Sequence, residues 1–167
     1  LATVIVVIIN PAELLKQARD TTRISDMAAL NSAVALYLAD VVSPGFGGAN
    51  GASCASLTKT CTVTTTTLPF SVTSCTTVNA TTTVAGLGWV TIDFADISSG
   101  SPLSRLPLDP SQTTNNLYTF GCNGLSYKLG ATMESVKYSS ASTGVMRNAY
   151  DGGSSASWYE VGNSMAL

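Results

Sequence analysis

LATVIVVIINPAELLKQARDTTRISDMAALNSAVALYLADVV, residues 1–42, contains the strongest structural signals in this chain. It begins with nine uninterrupted apolar residues, Leu1–Ile9. As a helix they would span about 14 Å, against roughly 30 Å of bilayer hydrocarbon. The run has neither strand alternation nor a 3.6-residue stripe, so it is not predicted to pack against its own domain. Burying an aliphatic side chain contributes roughly 1.5–3 kcal/mol, so lipid or other helices are expected to cover Leu1, Val4, Ile5, Val6, Val7, Ile8 and Ile9. Because no initiator Met or charged segment precedes the run, we expect Leu1 to be a processed or incompletely covered beginning.

A second helix is predicted to begin at Asn10-Pro11. Asn10 suits the N-cap, Pro11 the first helical position, and Glu13 lies three residues after the cap. Proline also disfavours helix at the residue before it. We therefore expect a helix break at Asn10 and Pro11, followed by an amphipathic helix over residues 11–42.

The two halves of this helix differ in charge. In the first half, Glu13–Lys16, Lys16–Asp20 and Arg23–Asp26 have the spacing of surface ion pairs, which predicts a half that lies in solvent. Residues 27–39 carry no charge, which predicts packing against a head domain. The whole helical stretch over residues 1–42, about 60 Å long, would protrude from a head of about 35–40 Å. The alternative, a core helix with a frayed apolar end, leaves Leu1–Ile9 without a partner.

Residues 43–167 are predicted to form the head. Composition changes after Ser43-Pro44-Gly45, and a Thr-rich insert follows over residues 45–85. Within residues 86–167, Trp89–Phe94 alternates like a strand or an extended edge. Strands are predicted at Leu117–Phe120, Leu125–Met133 and Trp158–Val161, separated by Gly- and Ser-rich turns, which indicates an antiparallel sheet. The expected fold class is α+β, with a long protruding N-terminal helix packed on a small antiparallel head.

Four cysteines, Cys54, Cys61, Cys75 and Cys122, occur in a chain that has no histidine. No CxxC pair is present, so a zinc site is disfavoured and two disulfides are favoured. Three connectivities are open. We favour Cys54–Cys61 as a short loop closure, with Cys75–Cys122 joining the insert to the sheet.

The Thr-rich insert also offers modification sites. Thr is β-branched, so the simplest interpretation of the run is a solvated strand face. The functional alternative is O-glycosylation of Thr64, Thr65, Thr66 and Thr67. Asn79 lies in an N-glycosylation sequon, a short pattern that often occurs by chance.

Enzyme function is not indicated. Without histidine, a Ser-His-Asp or Cys-His arrangement is impossible. Asp93, Asp96 and Asp109 lack the spacing of a calcium loop and are interpreted as solvated loop acids. No cofactor is expected. Because no basic cluster occurs outside residues 16–23, nucleic-acid binding is not indicated.

Several segments together resemble one family. Residues 1–13 and KQARDTTRISDMAALNSAVALYLAD (Lys16–Asp40) are similar to the N-terminal helix of bacterial type IV pilins and type II secretion pseudopilins. LPLDP (Leu106–Pro110) and YKLGATMES (Tyr127–Ser135) resemble the region after the helix in the branch of major pseudopilins, and WYEVG (Trp158–Gly162) resembles a closing strand. Family members begin with Phe and carry a glutamate a few residues later, ahead of more apolar sequence. We therefore expect that roughly fifteen residues of this kind are missing before Leu1 or that the true N-terminus was not captured.

The resemblance implies a structural subunit, a major pilin, of an extracellular type IV pilus that serves adhesion, twitching motility or DNA uptake. It implies an inner-membrane precursor, cleavage and N-methylation by prepilin peptidase, and homo-oligomeric helical assembly by the pilus machinery, with DNA only as cargo. The alternative within the family is a pseudopilin of a periplasmic pseudopilus. A weaker alternative is a monomeric tip adhesin, but the aromatic residues it would require for binding are expected in the core.

Overall fold

Helix α1, Pro11–Asp40, is the longest element of the chain. The computed structural model describes residues 10–48, 54–65, 67–70, 75–139 and 151–167. The predicted start of α1 is confirmed: Asn10 is the N-cap, its side chain accepts a hydrogen bond from the Glu13 backbone N–H, and Pro11 is the first helical residue. Asn10 has a φ of 45°, a left-handed conformation that Asn tolerates better than most residues. The helix ends at Asp40, two residues before the predicted end.

Five strands form one mixed sheet in the order β2-β1-β3-β4-β5. Their bounds are β1 Cys54–Cys61, β2 Thr77–Val78, β3 Tyr118–Gly124, β4 Ser126–Ala131 and β5 Tyr159–Gly162. A short helix, α2, covers Val136–Ser139. The architecture is α+β as predicted, but the sheet is not wholly antiparallel.

The exception is β2, which pairs with β1 in parallel. The division between a Thr-rich insert and a sheet also differs from expectation, because β1 and β2 both lie within residues 45–85. The chain leaves β1 at Cys61 and returns alongside it, where a disulfide joins Cys75 to Cys61. This crossover gives the two strands the same direction.

The sheet packs on α1 through alternate residues of its central strands. Tyr118, Phe120 and Leu129 join the core with Met27 and Leu30 of α1. Residues of the opposite parity face the other side, where Phe70 covers Gly121 and Lys128, and Pro69 and Trp158 cover Gly130. An added Cβ on Gly121 or Gly130 would collide with these side chains, which accounts for glycine in the middle of two strands.

The segment Trp89–Phe94, predicted to be a strand or an extended edge, contains no regular strand. Its apolar residues are fully buried, but the chain bends and enters a 3₁₀ helix at Phe94–Asp96. Asp93 caps this short helix by accepting a hydrogen bond from the Ala95 N–H at 3.0 Å. The predicted strands at 117–120, 125–133 and 158–161 correspond to β3, β4 and β5.

Candidate functional site: the exposed face of helix α1

Two charged side chains in the first half of α1 are fully buried in the head. Arg23 and Asp20 have no exposed side-chain surface. The Arg23 guanidinium donates to both carboxylate oxygens of Asp109, at 2.7 and 2.8 Å, and to Asp20 at 2.8 Å. The predicted pairing of Arg23 with Asp26 is therefore wrong: Asp20 of the same helix and Asp109 of a distant loop supply the partners of Arg23.

Glu134 extends this cluster, which we call the ion network. Arg19 binds its carboxylate through two nitrogens at 2.9 and 2.6 Å, and Arg23 approaches it at 2.5 Å. Asp20 accepts hydrogen bonds from the Ser135 backbone N–H at 2.8 Å and from its hydroxyl at 2.6 Å. The ion network thus consists of Arg19, Asp20, Arg23, Asp109 and Glu134.

The electrostatics of the network favour its charged form. Burial disfavours the charge of Arg23, but hydrogen bonds and charge from Asp109 outweigh it, so the Arg23 pKa is raised. The hydrogen bond from Arg19, aided by Arg23, lowers the pKa of the Glu134 carboxyl to about 2 in spite of burial. Glu134 consequently remains ionised at neutral and mildly acidic pH.

Asp109 is the acid of the LPLDP segment. It is buried rather than a solvated loop acid as interpreted from sequence, and it accepts backbone hydrogen bonds from Ser111 and Gln112 at 2.8 and 3.3 Å. Pro107 and Pro110 restrict the backbone on either side of it. The Leu106–Pro110 segment therefore presents one preorganised carboxylate to α1.

Tyrosines position the second half of α1 on the sheet. The Tyr118 hydroxyl donates to Asp26 at 2.6 Å, and the Tyr127 hydroxyl donates to Asn31 at 2.7 Å. Burial raises the pKa of the Asp26 carboxyl, and the hydrogen bond from Tyr118 partly opposes this. These bonds fix which side of the helix faces outward.

That outward side carries no charge over most of its length. The whole of α1 is described, and none of its exposed residues from 12 to 39 is charged. They are Ala12, Leu14, Leu15, Ala18, Thr21, Thr22, Ser25, Ala28, Ala29, Ser32, Ala35, Leu36 and Ala39. We call this set the α1 face. Small residues of this kind allow the close approach of another helix, and its three leucines are 41–62% exposed.

A groove borders the α1 face on one side. It lies between α1 and residues 103–108 and has a volume of about 470 Å³. Asp26 and Ala29 line its helix wall, Arg105 lines the loop wall, and leucines of the loop contribute apolar surface. Sequence reasoning missed Arg105 and this groove, because no local pattern links the loop to the helix.

All four predicted cysteines form disulfides, but the favoured connectivity is wrong. Cys54 pairs with Cys122, and Cys61 pairs with Cys75, each with Cα atoms 6.0 Å apart. Cys54 and Cys61 occupy opposite ends of strand β1. At about 3.3 Å per residue they are roughly 23 Å apart, too far for a bond.

The candidate glycosylation sites differ in accessibility. Thr64 and Thr67 are exposed, whereas Thr65 is buried and its hydroxyl donates to the Thr67 carbonyl. Asn79 is half-buried, and its amide nitrogen donates to the Leu87 carbonyl at 3.1 Å. Of the set, Thr64 and Thr67 are the best-presented acceptors.

Some predicted site residues lie outside the described residues, namely Leu1–Ile9 and Thr66. Among the helices that are described, none is both long and apolar enough to cross a bilayer. Within the same part of the chain, acidic and cysteine side chains form no cluster able to hold a metal ion.

Comparison with protein-family models, with curated proteins and with solved structures gives no significant match to this chain. The resemblance to pilins and pseudopilins therefore remains an expectation from the residues quoted above.

Proposed function

We propose that the chain is the structural subunit, a major pilin, of an extracellular type IV pilus, assembled by packing of its N-terminal helices. The uncharged α1 face carries this proposal. Every charged side chain of α1 before Asp40 is buried or half-buried. A helix with a charged outer side would resist burial against another helix, because desolvating a charge costs several kcal/mol.

The apolar sequence before α1 supports the same assembly. Leu1–Ile9 precede Asn10 directly and need lipid or other helices to cover them. In the proposed route, the inner membrane covers this run in the unassembled precursor, and neighbouring subunits cover it in the filament. Prepilin peptidase would process the precursor, and the pilus would serve adhesion, twitching motility or DNA uptake.

The second candidate is a pseudopilin of a periplasmic pseudopilus. The observation that favours it is the integration of the LPLDP segment, which resembles that branch, into the ion network through Asp109. The two disulfides and the exposed Thr64 and Thr67 suit an exposed extracellular filament better.

The proposal is tested by electron microscopy of material sheared from the source cells, with mass spectrometry to identify the subunit. Long filaments composed mainly of this chain are expected. Its recovery only in membrane fractions, or as a trace component of filaments built from another subunit, would favour the pseudopilin or a minor pilin.

A matched pair of variants separates assembly from folding. Ile5→Asp or Ile8→Asp is expected to leave the head folded and abolish filaments, because a charge would enter the apolar helix bundle. Thr77→Asp, a charge added to the exposed edge strand β2, serves as the control and should assemble normally. Normal filaments from the Ile5→Asp variant would contradict the proposed burial of Leu1–Ile9.

A further inference from the structure

The face of the sheet opposite α1 carries a buried ion pair that the proposed function does not use. Lys128 of β4 and Glu160 of β5 form this pair, and neither side chain has any exposed surface. The Lys128 Nζ lies 2.8 Å from Glu160 Oε1. In the strand register Glu160 is opposite Gly130, so the two side chains meet diagonally across neighbouring strands, a separation that long side chains span.

Neighbouring groups close the pair off from solvent. The Phe70 ring centroid lies 5.2 Å from the Lys128 Nζ. Gly153 passes so close to Glu160 that an added Cβ would collide with its carboxylate. A buried ion pair of this kind carries a large desolvation cost, and apolar residues of similar volume are often at least as stabilising. Stability alone is therefore a weak reason for placing these two charges here.

The hydrogen bonds around the pair orient it for a reaction between the two groups. Besides Glu160, the Lys128 ammonium donates to the Ser154 hydroxyl at 3.0 Å and to the Met165 carbonyl at 3.2 Å. If one proton moves to Glu160, these two acceptors hold the remaining N–H groups, so the nitrogen lone pair faces the carboxyl group. The Ser155 backbone N–H donates to Glu160 Oε2 at 2.7 Å, where negative charge develops when the carbon is attacked.

We infer that Lys128 and Glu160 condense to an intramolecular amide, an isopeptide cross-link between β4 and β5. The Lys128 Nζ transfers a proton to Glu160 Oε1, and its lone pair then forms a bond to the side-chain carboxyl carbon, Cδ. The Ser154 hydroxyl, 3.0 Å from Nζ and 3.4 Å from Oε1, relays a second proton from the nitrogen to Oε1. The Cδ–Oε1 bond breaks and one water molecule leaves. An ammonium and a carboxylate thus become a neutral amide, with no oxidant or reductant required.

Contact and burial both favour this amide. Holding the two groups against each other replaces a bimolecular encounter by an intramolecular one. Condensation removes both buried charges and with them their desolvation cost. The bond fastens β5, the edge strand at one end of the sheet, to β4. This inference goes beyond the proposed function and does not depend on whether the chain is a pilin or a pseudopilin.

Peptide mapping by mass spectrometry tests the cross-link in the purified full chain. After reduction of the disulfides and digestion with trypsin, we expect a branched peptide that joins Lys128 to Glu160. Its mass should be lower than the sum of the two linear peptides by one water molecule. Lys128→Arg keeps the positive charge but removes the reacting amine, so it should give linear peptides only. Lys59→Arg replaces a lysine on the same face of the sheet, in β1, and is the matched control that should keep the branched peptide.

Each outcome decides the inference. The branched peptide in the parent and in Lys59→Arg, but not in Lys128→Arg, supports it. Linear peptides alone from a folded parent chain with both disulfides formed would overturn it, whereas the proposed function is decided separately by the presence of filaments. A loss of water that persists in Lys128→Arg would place the reaction at other residues and overturn the assignment. Because the parent chain by itself gives the deciding result, the test stands even if Lys128→Arg fails to fold.

Discussion

Replacement of Arg23 by Met is the most direct test of the ion network. The guanidinium is fully buried and contacts three carboxylates, those of Asp20, Asp109 and Glu134. Methionine keeps an apolar stem of similar reach but leaves these acids without their shared cation. Removing one partner of a buried ion pair costs about 3–5 kcal/mol. In a chain of 167 residues, 1 kcal/mol shifts Tm by roughly 2–4 °C, so we expect Tm to fall by about 6–20 °C.

Arg19→Met is the matched control. The Arg19 side chain is 33% exposed and its partner Glu134 would keep Arg23, so the expected loss is much smaller than that of Arg23→Met. Both variants are compared with the parent by thermal and urea unfolding, followed by far-UV circular dichroism with the disulfides intact. A double variant, Arg23→Met with Asp109→Leu, measures the coupling between the two groups and should lose less than the sum of the single losses.

Equal losses for the Arg23 and Arg19 variants would refute this reasoning. Such a result would mean that the buried carboxylates do not depend on Arg23, either because they bind protons or because water reaches them. Strict additivity in the double variant would likewise show that the contact between Arg23 and Asp109 adds no stability beyond its parts.

Three further outcomes are expected. Removing the Cys54–Cys122 disulfide should cost about 4.4 kcal/mol of stability and removing Cys61–Cys75 about 3 kcal/mol, because the first closes the longer loop. Urea unfolding of the alanine variants measures both losses, and a larger loss for Cys61–Cys75 would contradict the argument from loop entropy. The Glu134 carboxyl has its pKa lowered from 4.5 to about 2, so its contribution to stability is complete above pH 4.5 and is lost as pH falls toward 2. Glu134→Gln should therefore reduce the dependence of the unfolding free energy on pH between pH 4.5 and 2, and an unchanged dependence would contradict the role given to Glu134. Gly121→Ala should lose roughly 1–3 kcal/mol of stability because the added methyl group collides with Phe70, and Phe70→Leu should partly relieve this loss. Unchanged stability of Gly121→Ala would show that Phe70 moves aside without cost.

Local rules predicted the start of α1 well. The Asn10-Pro11 start follows from capping chemistry and proline geometry, which depend only on adjacent residues. The expectation that the aromatic residues lie in the core is also confirmed for six of seven: Phe70, Trp89, Phe94, Tyr118, Tyr127 and Trp158 are buried, and Tyr159 is half-buried. Neither conclusion required knowledge of distant contacts.

Contacts between distant residues were not predictable in the same way. Helical spacing assigned Arg23 to Asp26. Its main partner is instead Asp109, which lies 86 residues away and accepts hydrogen bonds from the guanidinium with both carboxylate oxygens. The disulfide pairing depended on the extent of β1, which places Cys54 and Cys61 at opposite ends of a strand. Sequence spacing alone treats those two cysteines as close neighbours.

The buried ion network and the uncharged α1 face are two consequences of one arrangement. Burying Arg23 with three acids carries a desolvation cost that apolar residues of similar volume would avoid, so stability alone is a weak reason for it. Turning Asp20 and Arg23 inward, however, leaves Thr21, Thr22 and Ser25 on the outside at the same level of the helix. Under the proposed assembly, this arrangement suits a helix that is hydrated in the precursor and later contacts other helices, because the head neutralises its charges. On this reasoning, Arg23→Met should lower the stability of the fold and leave the α1 face uncharged. A charge placed at Ser25 should reduce assembly without affecting the fold.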